Sequence, residues 1–277
     1  GARGLAHVGF LLALKEAGLV PQVVVGTSMG AVVGGLYAAG QDLERLSQVL
    51  GALDLRGIFG VPDSYRRALE RSIGEALWER WRGPSWQGEP SPRLARMLEL
   101  LRLFGKGLSI EQLPLRFAAV ACDLNSGEEV VITSGPLHLG LAASAALPGV
   151  FHPLPWRGRW LIDGGVVNNL PADVALNLGA QVVVAVDVSA PLGDPPRTSV
   201  EVILRSYAIT SQELTRVKLA RAKERLGERL LYVRPQVEGI GVLEFERLFQ
   251  AKEAGWRAAQ QLIPKLVQLL PPGGSPT

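Results

Sequence analysis

A chain of 277 residues, 47% hydrophobic and 20% charged, is long and apolar enough to bury a sizeable core and is not a disordered chain. The formal net charge of +3 arises from interleaved acids and bases, with Arg outnumbering Lys and no basic run, which argues against nucleic acid as a partner. The single cysteine, Cys122, excludes an intrachain disulfide and any multi-cysteine metal site.

Apolar residues Leu5, Val8, Leu11, Leu12 and Leu14 recur at helical spacing between Gly4 and Gly18, and Gly18 stands where a helix C-terminus wants it. The β-branched run Gln22-Val23-Val24-Val25 predicts a strand, and the small residues from Ala31 to Leu36 predict a buried helix after a sharp Gly26–Gly30 turn. From about residue 42 to 113 the pattern is helical but broken by Pro62, Pro84, Pro90 and Pro92, as in an insertion or lid over a core. Phe117 to Ala121 and Glu129 to Thr133 predict a hairpin closed by Asp123-Leu124-Asn125-Ser126-Gly127. Trp160-Leu161-Ile162 leads into Asp163, a helix is predicted over 171–178, and Val182 to Val186 reads as a continuous buried strand. A loop from Pro191 to Pro196, an amphipathic helix near 200–225, a short strand at 229–233 and a final helix complete the chain. This alternation predicts one α/β domain over 1–277 with a mostly parallel sheet.

Gly26-Thr27-Ser28-Met29-Gly30 fits the G-x-S-x-G nucleophile elbow, in which a serine sits on a strained strand-to-helix turn. The elbow brings backbone so close that a Cβ at either flanking glycine is expected to collide, and the following helix aims free N–H groups at developing negative charge. A Gly-rich loop with an incidental serine gives the same five letters, but here a valine strand precedes it and a small-residue helix follows.

A serine nucleophile needs a proton acceptor, usually a histidine held by a carboxylate. The histidines are His7, His138 and His152, and Ser28, Asp123, His152 follow the chain order of an α/β-hydrolase triad. That fold lays down several strands before its elbow, whereas one helix and one strand precede Ser28 here. His7 lies on the first helix, and His138 and His152 sit in Pro-rich loops. Among acids, Asp163 follows an apolar strand and is followed by Gly164-Gly165, which let backbone and substrate approach closely. Aspartate-glycine pairs also mark ordinary turns.

These motifs fall in the order seen in patatin-like phospholipases, and the chain resembles the bacterial branch similar to the esterase domain of neuropathy target esterase. Gly1-Ala2-Arg3-Gly4-Leu5-Ala6-His7-Val8-Gly9 resembles the end of that family's glycine-rich oxyanion loop, Gly26 to Gly30 its elbow, and Asp163-Gly164-Gly165 its D-G-[GA] motif. The blocks Ala143 to Phe151 and Val166 to Pro171 resemble the sequence around that aspartate, and Phe117 to Leu124 its central strand. The resemblance implies a three-layer patatin-like fold, helices flanking a central sheet, with a Ser28/Asp163 dyad and no metal or other cofactor. It further implies an oxyanion hole drawn from Gly1, Ala2, Arg3, Gly4 and the elbow residues Gly26, Met29 and Gly30, and an acyl-enzyme route for phospholipid, lysophospholipid or other acyl esters. Further glycines and a strand are expected ahead of the position that Gly1 matches. Arg3 matches a basic residue that holds the loop or meets an anionic head group.

Trp78, Trp81 and Trp86, in a helical segment from Arg66 to Phe104, suit either a lid at a lipid surface or core packing. No stretch reaches the roughly 18 consecutive apolar residues of a membrane span and the first residues do not resemble a signal peptide, which predicts a cytoplasmic or peripherally membrane-associated protein. A regulatory or lipid-carrying protein that kept the fold without catalysis is the rival class.

Overall fold

The computed structural model describes residues 2–45, 47, 92–148, 151–189, 191–192, 195–196, 199–237 and 247–271. Most of the anticipated insertion at 42–113, including Trp78, Trp81 and Trp86, lies outside them, as do Gly1, Gly149 and Val150.

Helix α1 (Leu5–Glu16) ends where Gly18 adopts φ +71°, its N–H on Lys15 O and that of Leu19 on Leu14 O, which satisfies the last carbonyls. Strand β1 (Val23–Thr27) runs into helix α2 (Met29–Ala38) with Ser28 alone between them. Helix α3 (Pro92–Phe104) precedes β2 (Arg116–Asp123), β3 (Glu129–Ile132) and helix α4 (Leu137–Ser144). Then come β4 (Leu154–Trp156), β5 (Arg159–Asp163), helix α5 (Ala172–Asn177) and β6 (Val183–Val186). Helix α6 (Ser199–Leu226), β7 (Leu230–Val233) and helix α7 (Leu248–Leu269) close the chain.

One sheet has the order β1-β2-β5-β4 with β3 on the other edge of β2, and a second pairs β6 with β7. The sheets are mixed rather than mostly parallel: β1 with β2 and β6 with β7 are parallel, whereas β3, β5 and β4 pair antiparallel. Both antiparallel arms come from hairpins. The first is the anticipated one, with Gly127 at φ +74°. The second, β4–β5, turns through Arg157 and Gly158 at φ +48° and +79°. Pro153 and Pro155 obscure β4 in the sequence, and Pro155 is tolerated because β4 is an edge strand with that residue exposed.

The layers follow from residue alternation. Val182, Val184 and Val186 face Phe10, Leu14 and Leu266 of α1 and α7, while Val183 and Ala185 face Ala172 of α5 and Leu226 of α6. A Cβ on Gly9 would lie 1.8 Å from Lys252 O, and one on Gly255 1.8 Å from Ala6 O, so α1 and α7 cross backbone to backbone. The largest core lies under the other sheet, where Phe117, Ala119 and Ala121 of β2 meet Val33 and Leu36 of α2 and Leu137 and Leu141 of α4.

Candidate active site

Strand β2 acts as a ruler for the site. Thr27 pairs with Val120, and the very next β2 residue, Ala121, pairs with Asp163. Ala119 and Ala121 both have β3 on their other side, so β1 and β5 meet end to end along one edge of β2. Ser28, just past Thr27, therefore faces Asp163, and its hydroxyl lies near enough to the Asp163 carboxylate to favour the ionised form.

Ser28 adopts φ 56° and ψ −125° and heads α2. This backbone region costs a non-glycine residue about 1–3 kcal/mol and persists only where neighbours over-determine it. They do so here. The Ser28 N–H donates to Ser144 Oγ at 3.0 Å, and the Ser144 hydroxyl donates to Val120 O at 2.6 Å. Thr27 Oγ1 donates to Asn168 O at 2.7 Å, which ties the end of β1 to the loop beyond Asp163.

The two flanking glycines differ. A Cβ on Gly26 would sit 2.4 Å from Gly30 O and from Ala31 N, so only glycine fits. A Cβ on Gly30 would meet nothing nearer than His7 Nε2 at 3.6 Å, an ordinary contact. The expectation of a collision on both sides thus holds for Gly26 and fails for Gly30: the Gly30 carbonyl lies against Gly26, but a Cβ on Gly30 would point toward His7 of α1.

Asp163 is 2% exposed. Its N–H donates to Ala146 O at 3.0 Å and its Oδ1 accepts from Gly165 N at 2.7 Å. Burial pushes its pKa above the ordinary aspartate value, opposed first by the hydrogen bond from Gly165 N–H and then by the nearby Ser28 hydroxyl. The chain then enters a 3-10 turn, Gly164–Val166, and not a hairpin. A Cβ on Gly164 would lie 2.2 Å from Val120 O, and one on Gly165 2.9 Å from the Tyr207 hydroxyl and 3.1 Å from Asp163 Oδ1. Gly164 is therefore required by the approach of backbone, whereas at Gly165 a Cβ would meet side-chain tips that must give way. From α6, Ser211 Oγ donates to Gly165 O at 3.0 Å.

Residues Ala2–Gly4 form a 3-10 turn leading into α1. A Cβ on Gly4 would lie 2.6 Å from Met29 Cβ, so this turn packs against the residue that follows Ser28. Arg3 Nη1 donates to Val188 O at 3.3 Å, just beyond β6, which anchors the turn. Gly1 lies outside the described residues. A cavity of about 1990 Å³ takes in Ser28, Met29, Gly4, Asn169, Leu147 and Tyr207 and extends between the facing edges of β1 and β6.

The histidines do not assemble a triad. Asp123 is occupied by Asn125 N, Ser126 Oγ and Arg159, and His152 Nδ1 is buried without a hydrogen-bond partner. His7 packs behind the elbow near Gly30, and burial pulls its pKa down to about 4, so it is neutral at physiological pH. Burial, followed by Arg102, also lowers the pKa of His138.

Sequence reasoning singled out Ser28, Asp163 and the glycines but missed Ser144, Thr27, Asn168, Tyr207 and Ser211. Ser144 lies in a block already noted for its resemblance, and an isolated hydroxyl among alanines was its only signal. Tyr207 and Ser211 lie a single helical turn apart on α6, with nothing in the sequence to tie them to a loop some forty residues earlier.

Residues 1–176 match the family model described as patatin-like phospholipase. The chain is 31% identical, over 96% of its length and 20% of the relative's, to a patatin-like phospholipase domain-containing protein of Caenorhabditis elegans. It is 36% identical, over 71% of its length and 49% of the relative's, to an NTE family protein of Mycobacterium bovis. It is also 27% identical, over 96% of its length and 18% of the relative's, to the lysophospholipase NTE1 of Pyricularia oryzae. The chain thus spans about half or less of the length of these relatives. Among solved structures, VipD from Legionella pneumophila superposes with a TM-score of 0.50 at 15% identity, covering 95% of this chain and 65% of that one, which supports the fold. Since the family model covers well over half of its residues, the chain belongs to the patatin-like phospholipase family.

Proposed function

We propose that this protein is a serine lipid acyl hydrolase that cleaves carboxylic esters of phospholipids, lysophospholipids or related lipids, with Ser28 as nucleophile and Asp163 as base. The observation that carries this reading is the register of β2, which sets Ser28, on its strained elbow, beside the buried Asp163 carboxylate. Asp163 accepts the hydroxyl proton as Ser28 Oγ attacks the ester carbonyl, and the carbonyl π electrons move onto oxygen. The amides at the start of α2, beginning with Met29, lack intrahelical partners and lie at the positive end of the helix dipole, where the oxyanion forms. The Ala2–Gly4 turn, packed on Met29, borders the same spot. The tetrahedral intermediate collapses, the C–O bond to the alcohol breaks, and Asp163 returns the proton to the leaving oxygen. Water, giving a proton to Asp163, then attacks the acyl enzyme, and as the acyl C–O bond to Ser28 breaks Asp163 returns that proton to Ser28 Oγ, releasing the fatty acid and free Ser28.

An aspartate near its ordinary pKa of 3.8 is a weak base at neutral pH, and the burial that raises this value improves it. Among the described residues, no helix is long and apolar enough to cross a membrane, and peripheral contact with the lipid surface suffices for this chemistry. The reading is tested by fatty-acid release from lysophosphatidylcholine, diacyl phosphatidylcholine and nitrophenyl esters by the intact gene product. Release that disappears in Ser28→Ala supports it. A wild type inert on all three substrates, or release that survives Ser28→Ala, overturns it.

A further inference from the structure

Ser144, the last residue of α4, is fully buried beside Ala142, Ala143 and Ala146, where a hydroxyl has no packing advantage over a methyl group. It is retained at a point of particular backbone need. The Ser28 N–H lies beyond the end of β1 and ahead of the α2 ladder, so neither the sheet nor the helix supplies it with an acceptor. Ser144 Oγ supplies it at 3.0 Å and donates its own O–H to Val120 O at 2.6 Å, using both sides of the hydroxyl. Val120 is the β2 residue opposite Thr27, and its carbonyl also lies against Gly164. Two residues after Ser144, Ala146 O accepts the Asp163 N–H at 3.0 Å. One short stretch, 144–146, therefore holds the backbone of both reacting residues.

We propose that Ser144 is a positioning residue: its hydroxyl clamps the Ser28 backbone to the Val120 carbonyl of β2 and so fixes Ser28 Oγ against Asp163. This rests on the lipid-hydrolase reading above. Removing the hydroxyl leaves a Ser28 amide without an acceptor and releases the strained turn, so that Ser28 Oγ drifts from Asp163. The cavity that receives the substrate is left as it was.

The test compares wild type with Ser144→Ala and Ser144→Thr, the second of which keeps the hydroxyl. In Ser144→Ala, kcat is expected to fall about a hundredfold, the scale of a misplacement near 1 Å, with KM within about twofold. Ser144→Thr should recover most of that loss. The exchange rate of the Ser28 amide, read by hydrogen-deuterium exchange with or without catalysis, should rise in Ser144→Ala and stay slow in Ser144→Thr. Should Ser144→Ala not fold, Ser144→Cys, similar in size but a poor hydrogen-bonding group, takes its place in the same comparison. Unchanged kcat and unchanged amide exchange in a variant that melts like wild type overturns the proposal, as does a loss shared equally by kcat and KM. An inert wild type with the predicted exchange pattern would instead count against the hydrolase reading and leave the clamp standing.

Discussion

The two flanks of Ser28 are built in different ways. Toward β2, the serine and Asp163 are held by a closed set of contacts: Ser28 N to Ser144, Ser144 to Val120, Asp163 N to Ala146, Gly165 N to Asp163, and Gly164 pressed on Val120. Toward β6, the described neighbours are the Ala2–Gly4 3-10 turn, anchored through Arg3, and a cavity that runs between strand edges. A proton transfer between two groups, as proposed for Ser28 and Asp163, tolerates little error in their separation. The contrast is one of construction: several hydrogen bonds and one backbone contact fix Ser28 and Asp163 toward β2, and a single side-chain bond from Arg3 is described toward β6.

The largest effect tests the closed flank directly. Ser28→Ala and Asp163→Asn are each expected to lower kcat/KM by about 10³-fold or more, measured on a soluble ester, since either change leaves the other group without its proton partner. Next come the glycines. Gly26→Ala and Gly164→Ala push a Cβ into backbone at 2.4 and 2.2 Å and should cost about a hundredfold in kcat, whereas Gly30→Ala, on the roomy side, should stay within about threefold. Equal losses at Gly26 and Gly30 would erase the contrast.

A smaller effect follows from the burial of Asp163. The ionised form accepts the proton, so kcat/KM should fall as pH drops through a value above the 3.8 of a free aspartate. The sign for stability is the reverse of the usual carboxylate. A raised folded-state pKa means that Asp163 favours folding below its unfolded value, and that this contribution is lost as pH rises through the folded one. At neutral pH the ionised carboxylate therefore weighs against the fold, and Asp163→Asn should melt higher than wild type by roughly a few degrees while losing activity. Thermal melts at neutral pH check this. The smallest expected effect is at His152→Gln, which should leave kcat within about twofold, because His152 has no partner in the pair and Asp123 is bound up in its turn.

Much of this was legible because local chemistry and global fold agree at the elbow. A valine strand, Gly26, and a small-residue helix with room for backbone contact announce a strand-turn-helix wherever they occur. The hairpin after β2 was equally plain from its turn residues. Asp163 was harder, since Asp-Gly is also ordinary turn chemistry, and only the surrounding blocks distinguished it. What escaped detection depends on distance in the chain. The register that sets Thr27 against Val120 and Asp163 against Ala121 is a tertiary fact, and so is the meeting of Ser144 with Ser28, 116 residues apart. The antiparallel β4 was hidden by its prolines, and the antiparallel pairing of β5 with β2 is a tertiary fact, so a mostly parallel sheet was expected where a mixed one is found. That Gly30 has room depends on the path of α2 past His7, which no motif encodes.

The most direct measurement is the rate at which a fluorophosphonate probe modifies the intact gene product, with the adduct located by mass spectrometry of the peptides. A single adduct on Ser28, slowed at least a hundredfold or so in Asp163→Asn, is the predicted result. An adduct at another residue, or a Ser28 adduct that forms as fast without the Asp163 carboxylate, would contradict the pairing of Ser28 with Asp163.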